Sequence, residues 1–184
     1  MKIQTSLKRN TFPMRFITSL AFILFFSIVG KAQNRDTINY LHEGDYIPQF
    51  NIPLEDGTTI TSADLKSKVT VLSFFATWCG PCLRELPHVQ TEMWDKYKSN
   101  PNFRLFVVGR EHTSEELAKF KTEKKYTFPI IADTKREIFS LFAKQNIPRM
   151  YLIDKTGKIV LMSEGFEQTK FNVFLKRLDD ELNR

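Results

Sequence analysis

The chain of 184 residues alternates continuous apolar runs with segments that have helical spacing. The runs at 69–75 and 103–109 are rich in β-branched and aromatic residues and predict strands buried on both faces of a sheet. A shorter strand is predicted at 128–133. Two later apolar stretches, 150–154 and 158–163, flank a Lys-Thr-Gly turn and predict a β-hairpin. A smaller N-terminal hairpin is predicted around Asp56-Gly57, from the segments near 48–53 and 58–61.

Apolar residues at helical spacing predict four helices between and after these strands. The first runs from Gly80 to Tyr97, and the second opens at the capping box Thr113-x-x-Glu116 and continues to about Lys124. The other two are marked by Ile138, Leu141 and Phe142, and by Phe171, Phe174, Leu175, Leu178 and Leu182. Strands that alternate with helices give a βαβαβ core, and the closing hairpin makes its sheet mixed. We therefore expect an α/β fold with a central mixed β-sheet flanked by helices and an N-terminal β-hairpin extension.

The first 32 residues have the layout of an export signal. Four basic residues and no acidic one precede an apolar run of 14 residues, from 16 to 29. Gly30 and Ala32 are small residues at −3 and −1 of a cut after Ala32, so a signal peptide of residues 1–32 is predicted. The apolar run is shorter than the ~20 residues that span a bilayer, and an uncleaved N-terminal membrane anchor is the alternative. In both cases the remainder is expected to be periplasmic or otherwise extracytoplasmic, with inner-membrane anchoring through residues 16–29 left open.

The net charge of +6 is a property of this leader. Residues 33–184 carry 22 basic and 21 acidic residues, so nucleic-acid binding has no compositional support and we expect no nucleic-acid partner. Residues 33–46 are predicted to be a loose polar lead-in, and residues 47–184 are long enough for one domain with a core of its own.

The chain has two cysteines, Cys79 and Cys82, in the sequence Trp-Cys-Gly-Pro-Cys. They fall where the first core strand ends and its helix begins. Unpaired backbone N–H groups at a helix start favour an anion, so Cys79 is expected to be the nucleophilic thiolate. Cys82, one turn inside the helix, can then attack a mixed disulfide formed at Cys79. Trp78 and Pro81 are expected to form an apolar surface beside the reactive sulfur.

Two other interpretations of the pair are weaker. A disulfide staple across two residues closes a very small loop and would stabilise the fold by only about 2 kcal/mol. A zinc site needs about four ligands, but the chain has no second CxxC, and its histidines at 42, 88 and 112 have no H-x₃₋₅-H spacing. We therefore expect no metal and no cofactor.

The motifs around the two cysteines resemble those of a known family. The motif WCGPC after a buried strand is similar to the thioredoxin active site. The pattern Cys82-x-x-Glu85-x-Pro87, together with FPIIAD, NIPRMYLIDKTGKIV and an export signal, resembles the TlpA/ResA-like periplasmic thiol–disulfide oxidoreductases. The resemblance covers roughly residues 45–182. It implies a thioredoxin fold for 47–184 and a redox-active disulfide between Cys79 and Cys82.

The resemblance also implies roles for individual residues. Pro148 is expected to be a cis-proline that faces the cysteines, with Ile147 and Arg149 beside it as substrate-binding residues. Glu85 matches the helix glutamate of the membrane-linked subfamily, and is expected to be a partly buried catalytic carboxylate; the alternative is a solvated helix residue. Two positions depart from relatives: Ser73 stands where thioredoxin has a buried aspartate, and Arg149 where many relatives have threonine. An arginine there would put charge beside the substrate groove, unless it is only a surface residue.

The predicted function is reduction of disulfides in exported client proteins, for example in cytochrome c maturation. Such a reductase needs reducing power delivered through the membrane, so a membrane-linked electron donor is an inferred partner. A disulfide-bearing binding module is a non-enzymatic alternative. Peroxide reduction is disfavoured, because the pattern P-x-x-x-[TS]-x-x-C would require proline and threonine or serine where the chain has Leu72 and Ala76.

Overall fold

The computed structural model describes residues 38–54 and 56–184, which belong to one compact unit. The predicted N-terminal hairpin is present as β1 (Asn51–Pro53) and β2 (Thr59–Thr61), and a short 3-10 helix, Ser62–Leu65, follows it. The signal peptide predicted for residues 1–32 lies outside the described residues.

The predicted central mixed sheet is confirmed. It has five strands in the order β5-β4-β3-β6-β7. Strands β3, β4 and β5 are parallel, and β6 and β7 are antiparallel to their neighbours. The bounds are β3 (Val69–Phe75), β4 (Phe103–Arg110), β5 (Ile130–Asp133), β6 (Arg149–Ile153) and β7 (Ile159–Glu164).

The predicted helices are present, with one irregularity. The first consists of α1 (Gly80–His88), a π-helical segment (Val89–Trp94) and α2 (Asp95–Tyr97). Pro87 lies inside α1 and has no backbone N–H to donate to the carbonyl of Leu83, so the regular hydrogen-bond ladder is interrupted just before the π-helical segment. The others are α3 (Ser114–Lys124), α4 (Phe139–Phe142) and α5 (Gln168–Leu182).

The sheet separates two apolar clusters. Alternate residues of β3 face opposite ways: Val71 and Phe75 pack with α1, α3 and α5, whereas Leu72 and Phe74 pack with α4 and the N-terminal hairpin. Every residue of β3 is buried, as its continuous apolar run predicts. The helix that carries both cysteines is therefore fixed against the central strand.

The described part of the lead-in is attached to the domain. The backbone N–H groups of Tyr40 and Leu41 donate to the carbonyl of Phe142, and residues 44 and 45 exchange backbone hydrogen bonds with Ile159. The expectation of a loose segment is wrong for residues 38–46, because their backbone polar groups pair with two separate parts of the domain.

Candidate active site

Cys79 and Cys82 form a disulfide bond at the N-terminus of α1, with their Cα atoms 5.3 Å apart. Cys79 is the N-cap of the helix, and its Sγ accepts a hydrogen bond from the backbone N–H of Cys82 at 3.3 Å. Backbone N–H groups at this position stabilise negative charge, so the geometry favours a thiolate at Cys79 once the disulfide is reduced. The predicted place of Cys79, between β3 and its helix, is confirmed.

The two sulfurs differ in access. Cys79 is 6% exposed, whereas Cys82 is fully buried beneath it. Trp78 is 63% exposed next to the pair, and Pro81 is also exposed. An incoming sulfur can therefore reach Cys79 before Cys82, past an apolar rim formed by Trp78 and Pro81. This order supports the predicted roles of nucleophile and resolving thiol.

The peptide bond between Ile147 and Pro148 is cis, as the resemblance implies. The carbonyl oxygen of Ile147 lies 3.7 Å from Sγ of Cys79, so the loop faces the disulfide. Pro148 is buried and Ile147 is half-buried. The structure brings these two residues to the cysteines, and their role in binding substrate stays a prediction.

Glu85 is buried, and the alternative of a solvated helix residue is wrong. It is 1% exposed, three residues after Cys82 on α1, a spacing that places two helix residues on neighbouring positions of one face. Its Oε2 has no hydrogen-bond partner within the described part of the chain. Desolvation raises the pKa of the Glu85 carboxyl from 4.5 to about 8. A carboxyl with a pKa near neutrality can accept and return a proton under the conditions in which thiols react.

Ser73 is a second buried polar residue in this layer. It lies on β3 between Val107 of β4 and Met150 of β6, on the sheet face that carries the cysteine cluster. Its Oγ also has no hydrogen-bond partner among the described residues. A hydroxyl can donate and accept, but it cannot hold a charge at neutral pH, so Glu85 remains the only one of the two that can store a proton.

Arg149 does not border the substrate groove, and both expectations for it, substrate contact and a plain surface position, are wrong. It is 1% exposed. Residues alternate between the two faces of a strand, and the next residue of β6, Met150, packs in the cluster that contains the cysteines. The Arg149 side chain therefore leaves the sheet on the opposite face, where it bonds to Asn39, Glu164 and two loop carbonyls.

Two residues at the carboxyl end of β4, Arg110 in its last position and His112 just beyond it, contact the segment just ahead of Cys79. Neither contact was predicted from the sequence. Nε2 of the buried His112 accepts a hydrogen bond from the backbone N–H of Thr77 at 3.0 Å, which places the imidazole proton on Nδ1, 3.4 Å from a carboxylate oxygen of Glu116. The guanidinium carbon of Arg110 lies 5.7 Å from the ring centre of Trp78, a cation–π distance. The sheet topology could have predicted these contacts, because β3 and β4 are adjacent parallel strands and end at the same edge of the sheet.

Comparison with known proteins agrees with this geometry. The sequence profile described as the AhpC/TSA family matches residues 44–162. The thiol-disulfide oxidoreductase ResA of Bacillus thuringiensis is 31% identical over 137 residues, which cover 73% of this chain and 78% of that protein.

Two solved structures are also similar. A protein of Bacteroides thetaiotaomicron, described as a candidate protein disulfide isomerase, superposes with a TM-score of 0.76 at 31% identity, over 80% of this chain and 94% of the other. A candidate thiol:disulfide interchange protein DsbE of Chlorobium tepidum gives a TM-score of 0.66 at 27% identity, over 77% and 99% of the two chains. The thioredoxin fold expected from the resemblance is therefore confirmed.

Proposed function

The chain belongs to the AhpC/TSA family and to the TlpA/ResA-like thiol–disulfide oxidoreductases, and from this premise we propose that it reduces disulfide bonds of exported proteins through a Cys79/Cys82 dithiol–disulfide cycle. The observation that carries the proposal is the disulfide itself: its outer sulfur lies at a helix N-cap and its inner sulfur is fully buried. A disulfide that only stabilises the fold would not need one sulfur that a client can reach and one that is buried.

The cycle conserves atoms and electrons in two exchange steps. The Cys79 thiolate attacks one sulfur of a client disulfide, a mixed disulfide forms, and the other client sulfur leaves as a thiolate that takes a proton. Cys82 then loses its proton and its thiolate attacks Sγ of Cys79. The client leaves with two thiols, and the enzyme keeps the Cys79–Cys82 disulfide. The two electrons must be returned by a donor, which we propose to be membrane-linked.

Glu85 is the proposed proton acceptor for Cys82. It lies three residues along the same helix, it is shielded from water, and its free Oε2 faces no competing donor among the described residues. Its raised pKa allows it to take a proton from Cys82 and release it later without a large energetic penalty in either direction.

Reduction is the direction we propose. Gly-Pro between the cysteines is the dipeptide of thioredoxin, whose potential near −270 mV makes it a reductant, compared with about −120 mV for the oxidant DsbA. One client class that fits an exported reductase is apocytochrome c, whose cysteines must be thiols before haem is attached. Measurement of the Cys79–Cys82 potential against glutathione would decide the direction.

Peroxide reduction lacks the residues that it requires. Leu72 and Ala76 are both fully buried apolar side chains in the positions where the peroxidatic pattern has proline and a hydroxyl residue. No hydroxyl from these positions can reach a peroxide at Cys79.

Insulin reduction tests the proposed function directly. Residues 33–184 contain the whole compact unit, Asp36–Arg184, and with dithiothreitol as electron source they should accelerate insulin precipitation well above the uncatalysed rate. The disulfide-free variant Cys79→Ser is the matched control and should show only the background. Absence of turnover by the unmodified protein would instead favour a binding module.

We also propose that the domain acts outside the cytoplasm, after cleavage behind Ala32. Within 38–54 and 56–184, no helix has the length and apolarity needed to cross a membrane. Mass spectrometry of protein isolated from its native source should find an N-terminus at Gln33. A chain that begins at Met1 and fractionates with membranes would show that residues 16–29 are retained as an anchor.

A further inference from the structure

Arg149 is a fully buried cation whose hydrogen bonds converge on the loop ahead of Pro148. Its Nε donates to the carbonyl oxygens of Gln145 at 3.1 Å and Asn146 at 2.9 Å. One terminal nitrogen, Nη2, donates to Oε2 of Glu164 at 2.8 Å, and the other, Nη1, donates to Oδ1 of Asn39. Burial of a guanidinium is costly unless its donors are satisfied, so this set of acceptors must be held in place around it.

The acceptors are themselves connected. Oε1 of Glu164 accepts a hydrogen bond from the side-chain amide of Asn146 at 2.8 Å, which closes a ring of contacts between the loop and β7. The backbone N–H of Gly165 donates to the carbonyl of Pro148 at 2.9 Å. The loop 145–148 is therefore fixed on both sides of its cis peptide bond, and among residues 38–54 and 56–184 Arg149 is the only cation in the network.

The same loop presents its other side to the disulfide. The carbonyl of Ile147 lies 3.7 Å from Sγ of Cys79, whereas the Arg149 side chain lies on the opposite face of the sheet. A displacement of the two carbonyls that Arg149 holds would move the Ile147 carbonyl, because Ile147 directly follows Asn146 in the chain. A shift of about 1 Å at a reacting centre is enough to change rates by a hundredfold.

We infer that Arg149 is a positioning residue for thiol–disulfide exchange. From the sheet face opposite the cysteines, it fixes the loop 145–148, and this loop positions a client chain so that the client disulfide reaches Cys79. The inference rests on the exchange activity and on the proposed client-binding role of the loop, and not on the direction of electron flow. Asn39 joins the N-terminal segment to the same network, so that segment helps to enclose the guanidinium.

The test compares Arg149→Met, which keeps an unbranched stem and loses all five donors, with Arg149→Lys, which keeps a charge for Glu164 but loses the planar fork. Arg177→Met is the control for the loss of an arginine–carboxylate ion pair as such, because Arg177 pairs with Glu181 within α5. Each protein is assayed for insulin reduction at a temperature where more than about 95% is folded, and reduced Cys79 is titrated with iodoacetamide.

Arg149→Met should raise KM for insulin about tenfold, with a smaller change in kcat, while the iodoacetamide rate of Cys79 changes less than about twofold. Arg149→Lys should recover most of the melting temperature that Arg149→Met loses, but its KM should stay above that of the unmodified protein. A merely structural role would lower the melting temperature and leave KM unchanged in the folded fraction, and that result in both variants would overturn the inference. If Arg149→Met does not fold, Arg149→Lys alone decides.

Failure of the proposed direction can be separated from failure of this inference. If the unmodified protein does not reduce insulin, the same variants are compared in the reverse reaction, oxidation of a reduced dithiol peptide by the Cys79–Cys82 disulfide, followed by stopped flow. Both directions pass through the same mixed disulfide, so a displaced loop should slow each of them. Equal rates for the unmodified protein and both Arg149 variants in this reaction would overturn the inference.

Discussion

Replacement of Cys79 by serine is expected to abolish disulfide exchange, and replacement of Cys82 by serine is expected to trap mixed disulfides with client proteins. Serine removes the thiolate that the N-cap of α1 stabilises, so nothing attacks the client. Without the inner thiol, Cys79 still attacks but its bond to the client cannot be resolved. Non-reducing electrophoresis of a periplasmic extract incubated with each reduced variant should show client adducts for Cys82→Ser alone.

The order of the two thiols is checked by alkylation. In the reduced protein near pH 7, Cys79 should react with iodoacetamide at least tenfold faster than Cys82, since it alone has exposed surface and N-cap stabilisation. The double variant, with both cysteines replaced by serine, controls for adducts that form without either thiol. Faster alkylation of Cys82, or adducts trapped by Cys79→Ser, would reverse the assignment.

Replacement of Glu85 by glutamine is expected to slow turnover about 10- to 100-fold, which reaches the lower limit of the roughly 10²- to 10⁴-fold that a general acid–base group contributes. Glutamine has the shape of the protonated carboxyl and should leave the packing intact, but it cannot accept a proton from Cys82. The dependence of the Cys82 alkylation rate on pH should also change, because a neighbouring carboxylate no longer forms as pH rises. Both are measured with unmodified protein and variant side by side between pH 5 and 9.

The same substitution has a signature in stability. The folded protein keeps a proton on Glu85 up to a pKa of about 8, whereas the unfolded chain releases it near 4.5. Between these values the folded state binds more protons, so the free energy of unfolding falls as pH rises, by at most about 1.4 kcal/mol per pH unit. Below pH 4.5 both states are protonated and the penalty disappears.

Glu85→Gln has no such penalty, and its advantage in stability over the unmodified protein should grow from pH 5 to pH 8. Urea unfolding of the two oxidised proteins at each pH measures it. A constant difference across this range, together with equal turnover, would mean that Glu85 is not a proton acceptor. The route from Cys82 would then have to pass through Ser73 or water.

The fold could be predicted from the sequence because its signals are local and repeated. β3 and β4 are apolar runs and form buried strands, as predicted. The start of α3 is marked by the capping box at Thr113, which also forms as predicted. The strand expected at 128–133 is shorter, since Phe128 and Pro129 precede β5, and proline cannot donate to the ladder.

The site was only partly predictable, because side-chain direction and burial depend on contacts that are distant in sequence. The place of Cys79 follows from a local junction. Helix geometry predicts that Glu85 lies on the same face of the helix as Cys82, but only the fold shows that Glu85 is buried. The sequence next to Pro148 does not show on which side of the sheet Arg149 lies, because its partner Asn39 is 110 residues away. The spacing of His112 from the other histidines speaks only against a metal site, and its contact with Thr77 is not visible in the sequence.

The pairing of residues 43–46 with β7 has a consequence for how the molecule behaves in solution. β7 is the last strand of the sheet, and its outer side would otherwise present unpaired backbone groups to neighbouring molecules. Gly44 and Asp45 pair with Ile159, and the Glu43 carboxylate accepts from the N–H of Met162. A chain shortened to begin after Tyr46 would keep its redox centre but uncover this strand, and edge-to-edge association of sheets would then limit its solubility.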